Sequence, residues 1–341
     1  MASGISHSSI YSGEVLEAFI TKAVVGNDTV DKGSIKVQSG IQSKYTLPRI
    51  QVGNIIQDRV PTPNKYGDNG ESVGEFTITE KNLEPKDFMV YTEFNPRDLE
   101  DFWKFAQPKG NLVFRTLDAQ VQVALVGELM KEVNRYLGEA IWHGALSNTG
   151  ITGTPTGGQI LGAAAQGLDK FDGLMYNILN DYTNGAAGDK PLLAGTTEIT
   201  TTTEILAALN TVFDTIPKSL RGNSDLKILV DQSLFDLYDQ ALIESNFKHA
   251  DYTQTNVQRF RGITIVPTNG VPVSTIVACV ASASTSSNLW MGIDYVNDAE
   301  VLQVEKLQAN SEEYFFKMLL KADTVIAKPS ELVVHTTYVL A

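Results

Sequence analysis

Seven apolar residues spaced four apart (Leu117, Val121, Leu125, Leu129, Val133, Leu137 and Ile141) run through residues 114–143 of this 341-residue chain. A helix turns every 3.6 residues, so this spacing predicts one continuous α-helix whose apolar stripe winds slowly about its axis. Ala124, Met130, Tyr136 and Ala140 broaden the stripe, while Glu128, Lys131, Glu132, Arg135 and Glu139 fall on other faces. About 30 residues at 1.5 Å each make a rod about 45 Å long. A rod of that length acts as a strut covered by different neighbours at its two ends.

Composition narrows what surrounds the strut. The chain is 43% hydrophobic and 20% charged, ordinary for a globular protein of one elaborated domain or two. Cys279 is the only cysteine, which excludes an intramolecular disulfide and a cysteine-based zinc or cluster site within one chain. No run approaches 18 apolar residues, and residues 1–10 lack the basic-then-apolar order of a secretory signal, so neither a membrane span nor export by that route is expected. Forty acidic against 27 basic side chains give −13, which argues against a protein whose main task is gripping a nucleic-acid backbone. Residues 1–60, with six basic and five acidic side chains, are the part least repelled by a polyanion.

The first forty residues read as an extended arm with a short helix at 15–25, ordered mainly by partners. Residues 45–52 read as a strand. The stretch from 60 to 74, with two prolines and three glycines, is a loop tip, and residues 75–81 and 88–94 alternate as strands. Together these predict a long hairpin that does not pack on its own body. Asn95, Pro96 and Asp98 start a helix that stops at Pro108. Residues 144–167 read as a flexible glycine-rich connector dividing the chain in two. Beyond it, short strands at 226–230, 262–266, 275–280 and 288–292 alternate with helices at 171–182, 201–216 and 232–243, an α/β layer. Residues 301–307, 314–320, 324–326 and 332–338 read as strands of a mostly antiparallel closing sheet.

The search for chemistry returns little. His7, His143, His249 and His335 are isolated from one another, without the helical spacing of a metal pair. His143 reads as a helix-terminal histidine placed to favour the last carbonyls. Nucleophile-elbow, phosphate-loop and dinucleotide motifs are absent. Asp294, Asp298 and Glu300 gather oxygen ligands but lack the glycine and distant glutamate of a calcium loop, and read as a solvated turn, as do Glu312 and Glu313. Asn27-Asp-Thr29 matches a glycosylation triplet that has no meaning without a secretory signal. Cys279 reads as a small buried core residue. No catalytic, cofactor-binding or metal residue is assigned, and the chain is expected not to be an enzyme.

The order of hairpin, long helix, glycine-rich loop (148–158), α/β layer and C-terminal strands, with the phrases Leu226-Lys-Ile-Leu-Val-Asp-Gln-Ser-Leu-Phe235 and Arg261-Gly-Ile-Thr-Ile-Val-Pro267, resembles the major capsid protein of tailed bacteriophages with the HK97-type fold. The resemblance implies an α+β fold divided into an N-terminal arm (1–43), an extended hairpin loop (44–95), a peripheral domain with the spine helix (96–170), an axial α/β domain (171–290) and C-terminal strands returning to the peripheral domain (291–341). In that family the extended loop lies over a neighbouring subunit, so Lys65, Tyr66 and Glu71 at its tip are candidate intersubunit contacts. Some relatives cross-link a lysine to an asparagine between subunits; Lys65 occupies a suitable place, but no cross-linking residue is carried over. The implied partners are further copies in hexamers and pentamers, a separate scaffolding protein (the chain has no fused helical one), portal and decoration proteins, and packaged double-stranded DNA on the inner face. No cofactor and no membrane are implied. The implied location is the virion capsid, assembled in the bacterial host cytoplasm.

Two other readings stand beside this one. An encapsulin, a cellular compartment of the same fold, would enclose protein cargo in place of DNA. A soluble two-domain α/β enzyme would show a small closed oligomer and a deep polar pocket.

Overall fold

The computed structural model describes residues 9–11, 28–52, 76–95, 119–244, 259–294, 302–308, 311 and 313–341. In chain order its elements begin with β1 (Ser9–Tyr11), α1 (Asp28–Asp31), β2 (Lys36–Gln38), β3 (Tyr45–Val52), β4 (Phe76–Leu83) and β5 (Lys86–Phe94). The long helix α2 (Ala119–His143) and β6 (Ile151–Thr152) follow, then α3 (Leu174–Asn184), β7 (Leu192–Gly195), α4 (Thr202–Thr215), β8 (Leu226–Val230) and α5 (Gln232–Glu244). The chain closes with β9 (Arg259–Phe260), β10 (Ile263–Pro267), β11 (Ile276–Val280), β12 (Leu289–Asp294), β13 (Leu302–Lys306), β14 (Tyr314–Ile326), β15 (Val333–His335) and β16 (Val339–Leu340).

The first sheet is built on β14, whose 13 residues alternate buried and half-buried through Ala322 as a half-buried strand requires. Its order is β1-β13-β14-β12-β2, antiparallel except for the parallel β2–β12 pair. Lys321 and Ala322 pair with both β12 and β5, so β5 runs along the opposite edge of β14. The inward residues Phe316, Met318, Leu320 and Ala322 share one core with Val133, Leu137, Ala140 and Ile141 of α2 and Leu174, Met175 and Ile178 of α3.

The second sheet has the order β7-β15-β11-β8-β10-β9. The run β8–α5–β10 is a parallel crossover, and α4 begins with a capping box in which Thr201 and Glu204 satisfy each other's backbone amides. Residues of α4 and α5 fill a second core against one face of this sheet. Leu229, Val277, Cys279 and Val334 on the other face enter the first core. The two sheets therefore share buried side chains.

Several expectations change. The strand at 88–94 leaves the hairpin: Phe88, Val90 and Phe94 lie in register with Leu320, Met318 and Tyr314, so β5 buries its apolar side in the first sheet. Only β3 and β4 pair as the hairpin. Residues 144–167 are no flexible divider. Leu161 is fully buried, and a Cβ on Gly144 or Gly162 would lie 2.6 Å from the carbonyl oxygen of Ala140 or Ala145, so these glycines permit close packing. The last third of the arm belongs to the chain's own core: Ile35 and Ile41 are buried, and Trp142 Nε1 donates to Thr29 Oγ1 at 3.0 Å. The C-terminal strands divide, since β15 pairs with β11 and β7 in the second sheet while β13 and β14 stay in the first. Its residues Val333, Val334 and His335 are all buried, which suits a strand with neighbours on both edges. The expected helix at 15–25, the helix expected after Asn95 (96–108) and the first residues of the strut helix, 114–118, lie outside the described residues.

Candidate assembly surface

The register of β3 and β4 divides the hairpin into two faces. Tyr45, Leu47 and Arg49 on β3 pair with Leu83, Lys81 and Thr79 on β4, and all six lie on one side. That side docks on the body, correcting the expectation of a hairpin that does not. Leu83 and Ile41 form a small core with Trp290 and Val325, Leu47 packs against it, and the Tyr45 ring stacks on Trp290 at 6.3 Å. Arg49 pairs with Asp189 and donates to Ser330 Oγ at 3.0 Å, and Lys81 pairs with Asp181 at 2.5 Å. Burial raises the Asp181 carboxyl despite the Lys81 ammonium, so Lys81 and Asp181 form a partly desolvated tether.

The opposite face carries Thr46, Pro48 and Ile50 against Asn82, Glu80 and Ile78. Thr46 Oγ1 donates to Asn82 Oδ1 at 3.1 Å. Further along, Ile50 and Ile78 stand directly opposite each other, 64% and 72% exposed. Two β-branched apolar side chains paired in this way are costly to leave in water, and the described part of the chain does not cover them.

A second apolar area lies on the outer face of the first sheet. Met89 and Tyr91 of β5 are 54% and 45% exposed and sit in register with Leu319 and Lys317 of β14. The Tyr91 ring stacks on Phe315 at 6.1 Å, and its hydroxyl donates to Glu93 Oε1. The docked hairpin covers the β12 end of this face and leaves the β5–β14 end open.

The residues examined for chemistry take structural places. Cys279 is fully buried and burial pushes its thiol up to about 12, so it is inert as a nucleophile. Burial holds His143 at about 4, so it is neutral at physiological pH, which corrects its expected part as a favourable charge at the helix end. His335 is buried with Nε2 2.9 Å from the carbonyl oxygen of Thr197. Asp294 is no solvated turn residue: it is buried at the end of β12 and pairs with Lys321 at 3.4 Å. Asp298, Glu300, Glu312, His7 and His249 lie outside the described residues, among which no group of three metal-ligating side chains converges. Also among the described residues, no helix is long and apolar enough to cross a membrane.

The tip candidates Lys65, Tyr66 and Glu71 lie outside the described residues. The structure brings forward Ile50, Ile78, Met89 and Tyr91 in their place. The signal for the first pair was present in the sequence, since Tyr45-Thr-Leu-Pro-Arg-Ile-Gln-Val52 carries apolar residues at both odd and even positions. A strand with one wet face would alternate.

No protein-family model and no curated protein matches the chain. Solved structures do match it over nearly its whole length. A chain of the satellite phage P4 procapsid superposes with a TM-score of 0.56 at 11% identity, covering 98% of this chain and 94% of that one. The capsid of the native GTA particle gives 0.55 at 9% identity, covering 100% and 95%. The capsid of Myoviridae phage XM1 gives 0.53 at 12% identity, covering 98% and 96%. At these identities the likeness is one of fold.

Proposed function

The chain has the HK97-type capsid fold, and from that premise we propose that it is a tailed-phage major capsid protein, assembling into an icosahedral shell around a double-stranded DNA genome. The observation that carries this reading is the hairpin: its inner face is anchored to the subunit, and its outer face presents the exposed Ile50–Ile78 pair away from it. In a shell, that face lies against the next copy. Such a contact is heterologous, joining different patches on the two subunits, and so builds rings where the rotation closes, in place of isolated dimers.

In this reading the first sheet and α2 form the peripheral domain, and the α/β layer is the axial domain clustered about the capsomer axes. The protein acts by repeated subunit contact, without turnover. Its acidic balance suits a shell whose inner face need only tolerate DNA that is packaged by other means. Scaffolding, portal and decoration proteins are separate chains, and the shell assembles in the bacterial cytoplasm.

Electron microscopy of the protein expressed alone and with any neighbouring scaffold tests the proposal. Closed shells of uniform size, filled with DNA in the complete particle, are expected. Shells that carry an enzyme cargo would reassign the chain to an encapsulin-type compartment. A small closed oligomer under every condition would remove the capsid reading.

A further inference from the structure

The β9–β10 hairpin turns on two residues. Phe260 pairs with Ile263, which leaves Arg261 and Gly262 as the turn, at φ +46° and +88°. A two-residue turn with both central residues at positive φ favours Asn-Gly, because a Cβ crowds the backbone in that region. Gly262 suits the position and Arg261 does not. The turn by itself therefore gives no reason for an arginine.

The surroundings supply one. Arg261 Cζ lies 4.8 Å from the ring centroid of Phe213, near the end of α4, and 5.7 Å from that of Phe260. Arg221 Cζ lies 4.7 Å from the same Phe213 centroid. Its Nε and Nη2 donate to the carbonyls of Ile216 and Asp214, each at 3.1 Å, so the negative end of the α4 dipole holds this guanidinium in place. One ring thus gathers two cations that repel each other. Among the described residues the acid that pairs with Arg261 is Asp214, at a long 3.4 Å, and the two side chains stay 47% and 71% exposed. A guanidinium resting on a ring keeps its planar N–H edge for a carboxylate, which it binds through two parallel hydrogen bonds.

We propose that Arg261 and Arg221 form a carboxylate-binding corner through which the second sheet of one copy contacts acidic side chains of a second copy. Charge complementarity carries the choice of partner. The chain holds 40 acidic against 27 basic residues. Its helix α5, which touches this corner through the Tyr238 ring on Phe260, carries Asp236, Asp239 and Glu244 and no base. A second copy therefore presents carboxylates, whereas the same net charge of −13 repels a nucleic-acid backbone. The backbone strain at Arg261 is what such a role leaves in the free subunit: a turn less favourable than Asn-Gly, kept because a cation is needed at that point. The second copy is the partner that the capsid reading supplies, so the inference rests on that reading.

Arg261→Asn separates the corner's work between copies from its work within one, because it creates the favoured Asn-Gly turn while removing the guanidinium. Dissociated full-length R261N should melt at or above the parent. In sedimentation velocity its association constant should fall by about ten- to a hundredfold, and the weakening of association by added NaCl should be shallower than in the parent. Arg221→Gln, which keeps a donor for the α4 carbonyls, should show the same loss of association. An R261N subunit that melts clearly below the parent and associates as the parent does would assign the arginine to its own subunit and overturn the proposal. Unchanged association together with loss of binding to a labelled DNA duplex would also overturn it, in favour of nucleic acid. Should R261N form parental shells with parental salt dependence, the corner would fall and the capsid reading would stand. Should the parent form only a small oligomer that R261N weakens, the capsid reading would fall and the corner would stand.

Discussion

Replacing both exposed isoleucines of the hairpin by serine, Ile50→Ser with Ile78→Ser, should separate assembly from folding. Full burial of an isoleucine side chain contributes about 1.5–3 kcal/mol. With 64% and 72% of these residues still exposed, a neighbour that covered them would gain about 1–2 kcal/mol from each. The pair would then supply about 2–4 kcal/mol per contact, a factor of about 30–1000 in the contact constant. In the proposed shell each subunit would give one hairpin and receive one, so the loss would recur at every contact. Within the subunit the cost is one cross-strand pair, about 0.2–1 kcal/mol. The dissociated variant should therefore melt within a few degrees of the parent, while sedimentation velocity shows a critical concentration raised at least about thirtyfold. A double variant that assembles at the parent concentration would show that no neighbour covers this face.

Three further outcomes test the interior. Leu137→Ala on α2 empties a site 2% exposed in the first core and should cost about 2–5 kcal/mol in urea unfolding, without the local collapse a surface site would allow. Gly153 has φ +79°, and a Cβ there would meet the Thr337 carbonyl oxygen at 2.0 Å; Gly153→Ala should cost more than about 1 kcal/mol and release protection of β16 in hydrogen exchange. His143 is lowered from 6.5 to about 4, so the unfolded chain takes up its proton first on acidification, and the stability present above 6.5 is lost as pH falls toward 4. Relative to His143→Gln, the parent should lose about 2–3 kcal/mol between pH 7.5 and pH 4.5, read from paired denaturant titrations.

Local patterns made most elements legible in the sequence. The stripe through Val133, Leu137 and Ile141, the helix expected at 201–216 and the apolar run Leu226–Val230 each state an element within a few residues. Pairing was harder to read, because partners are distant in sequence. Phe88 and Leu320 match only once both strands exist, and the sequence placed β5 with its nearer neighbour β4. The glycines at 144, 153 and 162 look like those of a flexible linker, since a close approach and a loose loop both call for a missing Cβ. The candidate assembly surface was hidden differently. Ile50 and Ile78 read as ordinary strand residues until the register sets them opposite each other on the side that the body leaves uncovered.

The account turns on whether the hairpin is an element between subunits, and a map of the assembled particle at side-chain resolution answers that directly. The expected map shows β3 and β4 lying on an adjacent copy with Ile50 and Ile78 buried beneath it. An assembled particle with both side chains open to solvent would contradict the account.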